Sequence, residues 1–286
     1  MSRMLLSIPS PPFNSFNLGP LTIRIYALTM LAAIVVAYLI ASRRFRNRGG
    51  AGEDFDEIVL WAVPFGIVGA RIYHVITHWG DYFAPGVNPW SAFFIWEGGI
   101  AVFGSLMGGA LGAWIGCRRT GVRLLSFGDA LAPALPVAQA VGRLGNWFNQ
   151  ELFGGPTDLP WGLEIDAAHR PPGLEQYATF HPTFLYELLL NLAAAALLLW
   201  ADRRFRLGHG QTLSLYIVCY GIIRFFIEGM RTDFSYYLGP LRTNQITALI
   251  LALVGVVAFV WLRRAFPGRE ESIYRVEARP AGADDQ

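Results

Sequence analysis

A helix needs roughly 20 residues to cross the ~30 Å hydrocarbon core of a bilayer. Apolar stretches of that length recur along this chain at about 22–42, 57–78, 93–117, 127–149, 181–201, 211–231 and 243–262. Inside hydrocarbon each backbone N–H and C=O must find a partner within the protein, which restricts such stretches to helices. The sequence therefore predicts an all-α polytopic membrane protein with seven transmembrane helices. A composition that is 53% hydrophobic and 15% charged, with a mean hydropathy of +0.38, agrees and leaves no room for a sizeable soluble domain. Residues 1–266 read as a single seven-helix domain with an outer loop at about 150–180, and residues 267–286 as a polar, mobile tail. The opening "MSRMLLSIPSPP" has too short an apolar run for a cleavable signal peptide, so the first span is expected to stay attached. Pro133 and Pro136 predict a kink in the fourth span.

Arginine clusters fix the expected orientation. "RRFRNR" (43–48), "CRRTGVR" (117–123), "RRFR" (203–206) and "RRAF" (263–266) follow spans one, three, five and seven. The opposite loops carry only Arg170 and Arg242 as basic residues placed firmly in a loop. The positive-inside rule then puts the N-terminus outside and the C-terminus, with its tail, in the cytoplasm. All 23 basic residues are arginine, which excludes Schiff-base chemistry through lysine and disfavours proton abstraction by a cationic side chain. Cys117 and Cys219 are far apart, form no metal-ligand spacing and read as small buried hydrophobes.

Given that orientation, the intramembrane polar groups fall in the outer leaflet. Tyr26 begins span one; Arg71, Tyr73 and His74 lie in the outer half of span two; Trp96 and Glu97 open span three. Arg143, Asn146, Asn149 and Gln150 close span four and Glu151 follows; His181, Tyr186 and Glu187 open span five; Arg224, Glu228 and Arg231 close span six. A charge at the bilayer centre costs about 2.5–3.5 kcal/mol, so these groups should face one another or a wet cavity. Arg143, Asn146 and Gln150 recur at i, i+3 and i+7, and Arg224, Glu228 and Arg231 at i, i+4 and i+7, so each set shares a helix face. Two guanidinium stripes at one level can grip a phosphate bidentately.

Each residue also has a structural reading. Arg224 and Glu228 can be a self-neutralising pair that packs span six. Arg143 has no acid at i−3 or i−4 to neutralise it, which favours a functional role. Arg71 can pair with Glu97 or Glu187, and Tyr26 and Trp96 can be interfacial anchors. His181, followed by a proline at a helix mouth, can cap or catalyse. Gly104, Gly108 and Gly112 read as close helix packing. An outer-leaflet pocket of arginines, amides and tyrosines beneath a long loop suits an amphipathic phospholipid with an anionic head group.

At these residues the sequence resembles the bacterial prolipoprotein diacylglyceryl transferases. "GRLGNWFNQELFG", "HPTFLYE" and "YGIIRFFIEGMR" resemble that family's landmarks, and "IRIYAL" and "GARIYHV" match too, so the likeness runs from about residue 20 to about 262. The resemblance implies a seven-span enzyme of the bacterial inner membrane, with its active site toward the outer leaflet. It implies transfer of the diacylglyceryl group of phosphatidylglycerol to the thiol of a lipobox cysteine in a prolipoprotein signal peptide, leaving glycerol 1-phosphate. It calls for no cofactor, metal or nucleic acid. Family roles fall on Tyr26, Arg143, Asn146, Glu151, Gly154, Arg224 and Glu228. In this reading Arg143 and Arg224 hold the phosphate, Asn146 and Tyr26 orient the head group, and Glu151 and Glu228 fix the arginines. Arg71, Gln150 and Arg231 are further expected substrate contacts. One departure is Phe103, which stands where many members place a histidine; His181 is the nearest substitute by depth.

Two rival classes make different demands. A transporter of an anionic solute should show polar groups near the midplane or along a continuous path. A lipid-binding or structural membrane protein needs no aligned guanidinium stripes on two helices.

Overall fold

The structure is a computed structural model that describes residues 7–19, 21–95, 98–99 and 101–275. Trp96 and Glu97 lie outside the described residues. A short hairpin of β1 (Ser15–Leu18) and β2 (Leu21–Arg24) leads into α1 (Ile25–Asn47). Then come α2 (Gly52–Thr77), the short α3 (Trp79–Phe83), a 3-10 turn at Pro89–Phe93 and α4 (Val102–Arg119). After α5 (Leu124–Leu131) and α6 (Ala134–Asn149), the strands β3 (Leu163–Glu164) and β4 (Thr179–Phe180) pair antiparallel within the long loop. The chain continues through α7 (Thr183–Phe205), α8 (Gln211–Met230), the hairpin β5 (Tyr237–Leu238) and β6 (Leu241–Arg242), and α9 (Thr243–Ala265).

Five of these helices, α1, α2, α7, α8 and α9, are long and apolar enough to cross a membrane, and α5 with α6 makes a sixth if the bent pair is one span. The molecule is thus a mostly helical membrane protein. The expected kink is a 45° bend between α5 and α6. Pro133 flanks α6 and Pro136 falls in its first turn, where the missing N–H has no helical acceptor in any case. The third expected span begins at Val102 rather than at residue 93. Gly98 (φ 92°) and Gly99 (φ 75°) take left-handed backbone that ends any helical path from the preceding turn.

The chain forms two compact units: the described part of Met1–Ala41 with Gly128–Arg269, and Ser42–Phe127 with the described part of Glu270–Gln286. In the second unit α2 and α4 meet backbone to backbone. A Cβ added to Gly104, Gly108 or Gly112 would run into the carbonyl oxygens of Gly69, Phe65 and Trp61 respectively, and one at Gly116 would lie 2.7 Å from Ile58 Cα. The glycine ladder is therefore a packing face, and no side chain fits there. Residues 270–275 are held in this unit rather than left as free tail. Arg123 N–H donates to the Ile273 carbonyl at 2.8 Å and Arg275 N–H to that of Gly121 at 2.9 Å. Tyr274 O–H donates to Asp54 at 2.5 Å while accepting from Ala51 N–H, and burial pushes the phenol's pKa up to about 12.

In the first unit α8 packs on α9 through Gly221 and Gly255, again by close backbone approach. The outward faces stay apolar: Leu253, Val257 and Trp261 of α9 are all exposed, as a lipid-facing helix requires.

Candidate active site

The end of α6 carries the first group. Arg143 donates from Nη1 to Asn146 Oδ1 at 3.0 Å, and Asn146 Nδ2 in turn donates to Glu151 Oε1 at 2.8 Å. Asn149 reaches the same oxygen at 3.3 Å. Glu151 can turn back over the helix because Gln150 is left-handed (φ 52°) and lets the Glu151 N–H bond the Asn146 carbonyl at 3.2 Å. That same turn removes Gln150 from the expected stripe. Its amide is locked to Asp166, donating from Nε2 to Oδ2 at 2.6 Å and accepting the Asp166 N–H at 2.8 Å.

Arg143 has no acid on its own helix, but it has one on the next. Glu187 of α7 meets its Nη2 at 2.6 Å; the carboxylate's side chain is 8% exposed and that of Arg143 23%. Glu187 was visible in the sequence as an outer-leaflet charge, yet nothing local assigns it to Arg143. Glu151, expected to fix an arginine, acts on Arg143 one step removed, through Asn146.

The second group surrounds Glu228, whose side chain is 0% exposed. Its Oε2 meets Arg224 Nη2 at 2.7 Å and Arg231 Nη1 at 3.8 Å. Its Oε1 meets Arg242 Nε at 3.3 Å and accepts from Asn244 Nδ2 at 3.1 Å. Arg231 also grips Asp233 with two parallel bonds of 2.7 and 3.0 Å. The Arg224 side chain is the most open of the three guanidinium groups, at 20%. Arg242, expected as a loop residue, is instead buried. It caps α9, where Gln245 Oε1 accepts its backbone N–H at 3.1 Å. The readable signal was its place directly ahead of an apolar span with glutamine at the third helical position.

Gly154 ties these helix ends together. Its N–H donates to the His181 carbonyl at 3.0 Å, it bridges Arg231, and the neighbouring Gly155 N–H donates to the Met230 carbonyl at 3.2 Å. A Cβ at Gly154 would lie 2.8 Å from His181 Cβ and 3.0 Å from the Met230 oxygen, so only glycine fits the crossing. Thr183 Oγ1 donates to the Leu152 carbonyl, fixing the start of α7 to the same loop. Tyr26 reaches α6 where Gly145 has no side chain, since a Cβ there would lie 2.6 Å from the tyrosine ring. His181 Nδ1 contacts Tyr186 Oη at 3.2 Å, and that oxygen accepts from Trp161 Nε1 at 3.0 Å. The contact joins the imidazole to the phenol in either direction, since the Tyr186 oxygen has a second lone pair as well as its own proton.

The 150–182 loop is an ordered cap. Phe153, Leu163, Ile165, Phe180 and Phe184 form its core, and Trp147 stacks on Phe184 at 5.5 Å. Ile8 forms an isolated parallel bridge beside Leu163, with bonds of 2.8 and 2.9 Å.

Arg71 belongs to the second unit. Four carbonyls hold its guanidinium: Ala92 at 2.7 Å, Ser91 at 2.6 Å, Gly98 at 2.5 Å and Gly99 at 2.9 Å. Of the two acids expected beside it, Glu97 lies outside the described residues and Glu187 is taken by Arg143. Phe103, in the first turn of α4, is exposed and lies 6.3 Å from the Tyr73 ring.

Comparison with known proteins identifies the family. The family profile "Prolipoprotein diacylglyceryl transferase" matches residues 14–261. The chain is similar to the phosphatidylglycerol--prolipoprotein diacylglyceryl transferase of Cutibacterium acnes, 53% identical over 93% of this chain and 90% of that one. It is also similar to proteins of the same name from Paenarthrobacter aurescens (50% identical; 90% of this chain, 83% of the relative) and, with the suffix 2, from Streptomyces coelicolor (47% identical; 98% and 87%). With the profile and relatives spanning nearly its whole length, the chain belongs to the prolipoprotein diacylglyceryl transferase family.

Proposed function

We propose that this chain transfers the sn-1,2-diacylglyceryl group of phosphatidylglycerol to the thiol of a lipobox cysteine in a prolipoprotein signal peptide. One observation carries the site assignment. Arg143 and Arg224 are each backed by a buried carboxylate, Glu187 or Glu228, while about a fifth of each arginine side chain stays open (23% and 20%). A guanidinium anchored from behind and free in front is preorganised for an incoming phosphate without the cost of reorienting it.

In this reading the substrate sulfur attacks the glyceryl carbon bonded to the phosphate oxygen. The C–S bond forms as the C–O bond breaks, the electron pair leaves on oxygen, and the thiol proton is released or passes to the glycerol 1-phosphate formed. Arg143 and Arg224 stabilise the charge growing on the departing phosphate, the effect that usually contributes most to such catalysis. Asn146, held by Glu151, and Tyr26 orient the head group. His181 is the imidazole available to handle the thiol proton, and the guanidinium groups favour the thiolate form of the incoming cysteine. Arg231 contributes charge while bound to Asp233; Gln150 and Gly154 fix the cap, and Arg71 organises the approach to α4.

Residues 1–266 then form one catalytic membrane domain of seven spans, α4 included, with the N-terminus outside and a cytoplasmic segment at 267–286. Its place is the bacterial inner membrane with the site toward the outer leaflet. Arginines at the far ends of α1, α4, α7 and α9 support that orientation. Incubating the purified protein with phosphatidylglycerol and a lipobox peptide should add one diacylglyceryl mass to the cysteine. No mass increase across several lipid and detergent conditions would favour the transporter or lipid-binding alternatives.

A further inference from the structure

Arg224, Arg231 and Arg242 outnumber the two carboxylates they meet, Glu228 and Asp233, the latter pairing with Arg231 and, at 3.7 Å, with Arg242. The three guanidinium groups converge on the carboxylate of Glu228, and they do not share it equally: Arg224 and Arg231 approach Oε2, whereas Arg242 Nε lies at ion-pair distance from Oε1 (3.3 Å) and Asn244 donates to it. Arg242 is unsuited to touch a lipid. Its side chain is 4% exposed, and its Nη1 and Nη2 donate to the carbonyls of Glu228 (3.0 Å), Arg231 (2.7 Å) and Asp233 (2.5 Å). These bonds fix the guanidinium to the backbone that closes α8 and leave Nε facing the carboxylate.

We propose that Arg242 is a positioning residue for the head-group site: it pins Oε1 of Glu228, so that Arg224 meets Oε2 alone and keeps the rest of its guanidinium for an anionic phosphate. Without Arg242 the freed Oε1 turns to the nearest remaining cation, and Arg224 becomes half of a closed two-bond fork with Glu228. The fork both neutralises Arg224 and occupies the edge that a phosphate would use. Arg242 also supplies part of the positive excess that draws an anion to this end of α8.

This inference rests on the reading of the site as a phosphatidylglycerol transferase. The test follows lipidation of a lipobox peptide by mass spectrometry while phosphatidylglycerol is titrated in mixed micelles, with melting in detergent recorded for every variant. A charge-assisted contact shifts an equilibrium by roughly ten- to a hundredfold, so Arg242→Gln should raise KM for the lipid about tenfold or more with kcat within about threefold. Arg242→Lys, whose ammonium still reaches Oε1, should recover a large part of that loss. Asn244→Ala removes the amide that donates to Oε1 from an exposed position, and it should raise KM by about threefold even if Arg242→Gln fails to fold. Wild-type KM in Asn244→Ala or in folded Arg242→Gln overturns the proposal, as does a fall in kcat at unchanged KM or a lysine variant no better than glutamine. An inactive wild-type protein overturns the transferase reading, and this inference with it; an active one with unmoved variants overturns only the role of Arg242.

Discussion

Arg71 in one unit and Arg224 in the other both lie on apolar helices of spanning length, yet their surroundings differ in kind. Four backbone carbonyls hold the guanidinium of Arg71, and none of those partners carries a formal charge. Arg224 has one buried carboxylate behind it and an open front. Carbonyl dipoles saturate a guanidinium with direction and leave it structural; a single carboxylate neutralises it from one side and leaves donors for something else. Arg143, set against Glu187, belongs with Arg224. What an intramembrane arginine does is thus decided by how many of its N–H groups are already spent.

The largest expected effect tests that contrast directly. Arg143→Ala and Arg224→Ala should each lower the lipidation rate by roughly 10²–10³-fold, the loss typical for one donor to a developing oxyanion, while the protein still elutes as a folded species in detergent. Full activity in folded Arg143→Ala would remove the phosphate clamp. Arg71→Ala should act on stability instead: stranded carbonyls cost roughly 2–4 kcal/mol, seen as a lower melting temperature, with the rate per folded molecule within about threefold. A folded Arg71→Ala as slow as Arg143→Ala would erase the distinction between the two regions. Glu187→Gln keeps the shape but not the charge behind Arg143, and a rate loss of about tenfold is expected from kinetics at saturating lipid. His181→Ala should cost about tenfold as a lost proton-handling group, whereas Phe103→His should change the rate by less than about twofold. An unaffected rate in His181→Ala strikes that residue from the chemistry, and a large gain in Phe103→His would bring a histidine of α4 into it.

Much of this architecture could be read from residues alone, because the information was local. Apolar length marked the helices, Pro133 and Pro136 marked the bend, and the Gly104, Gly108 and Gly112 ladder marked a packing face. The misplaced features share a different origin. The start of α4 depends on two glycines adopting positive φ, which helical periodicity does not register. Gln150 left the Arg143–Asn146 face because a single left-handed residue resets the phase of the chain. Glu187 and Arg143 are neighbours only after α6 and α7 pack, so sequence spacing could nominate both but not join them. Arg242 looked like a loop residue because burial of a cap depends on the hairpin folding back over the end of α8.

The bridge that Ile8 makes beside Leu163 gives the cap a practical sensitivity. The same segment is tied down twice more: Ser10 Oγ donates to the Glu164 carbonyl, and Trp147 Nε1 donates to the Pro9 carbonyl. A purification handle fused close to Ser7 would therefore tug on the roof over the helix ends, and trimming through Pro9 would strip one edge from β3. Engineered forms of this protein are better anchored or labelled elsewhere.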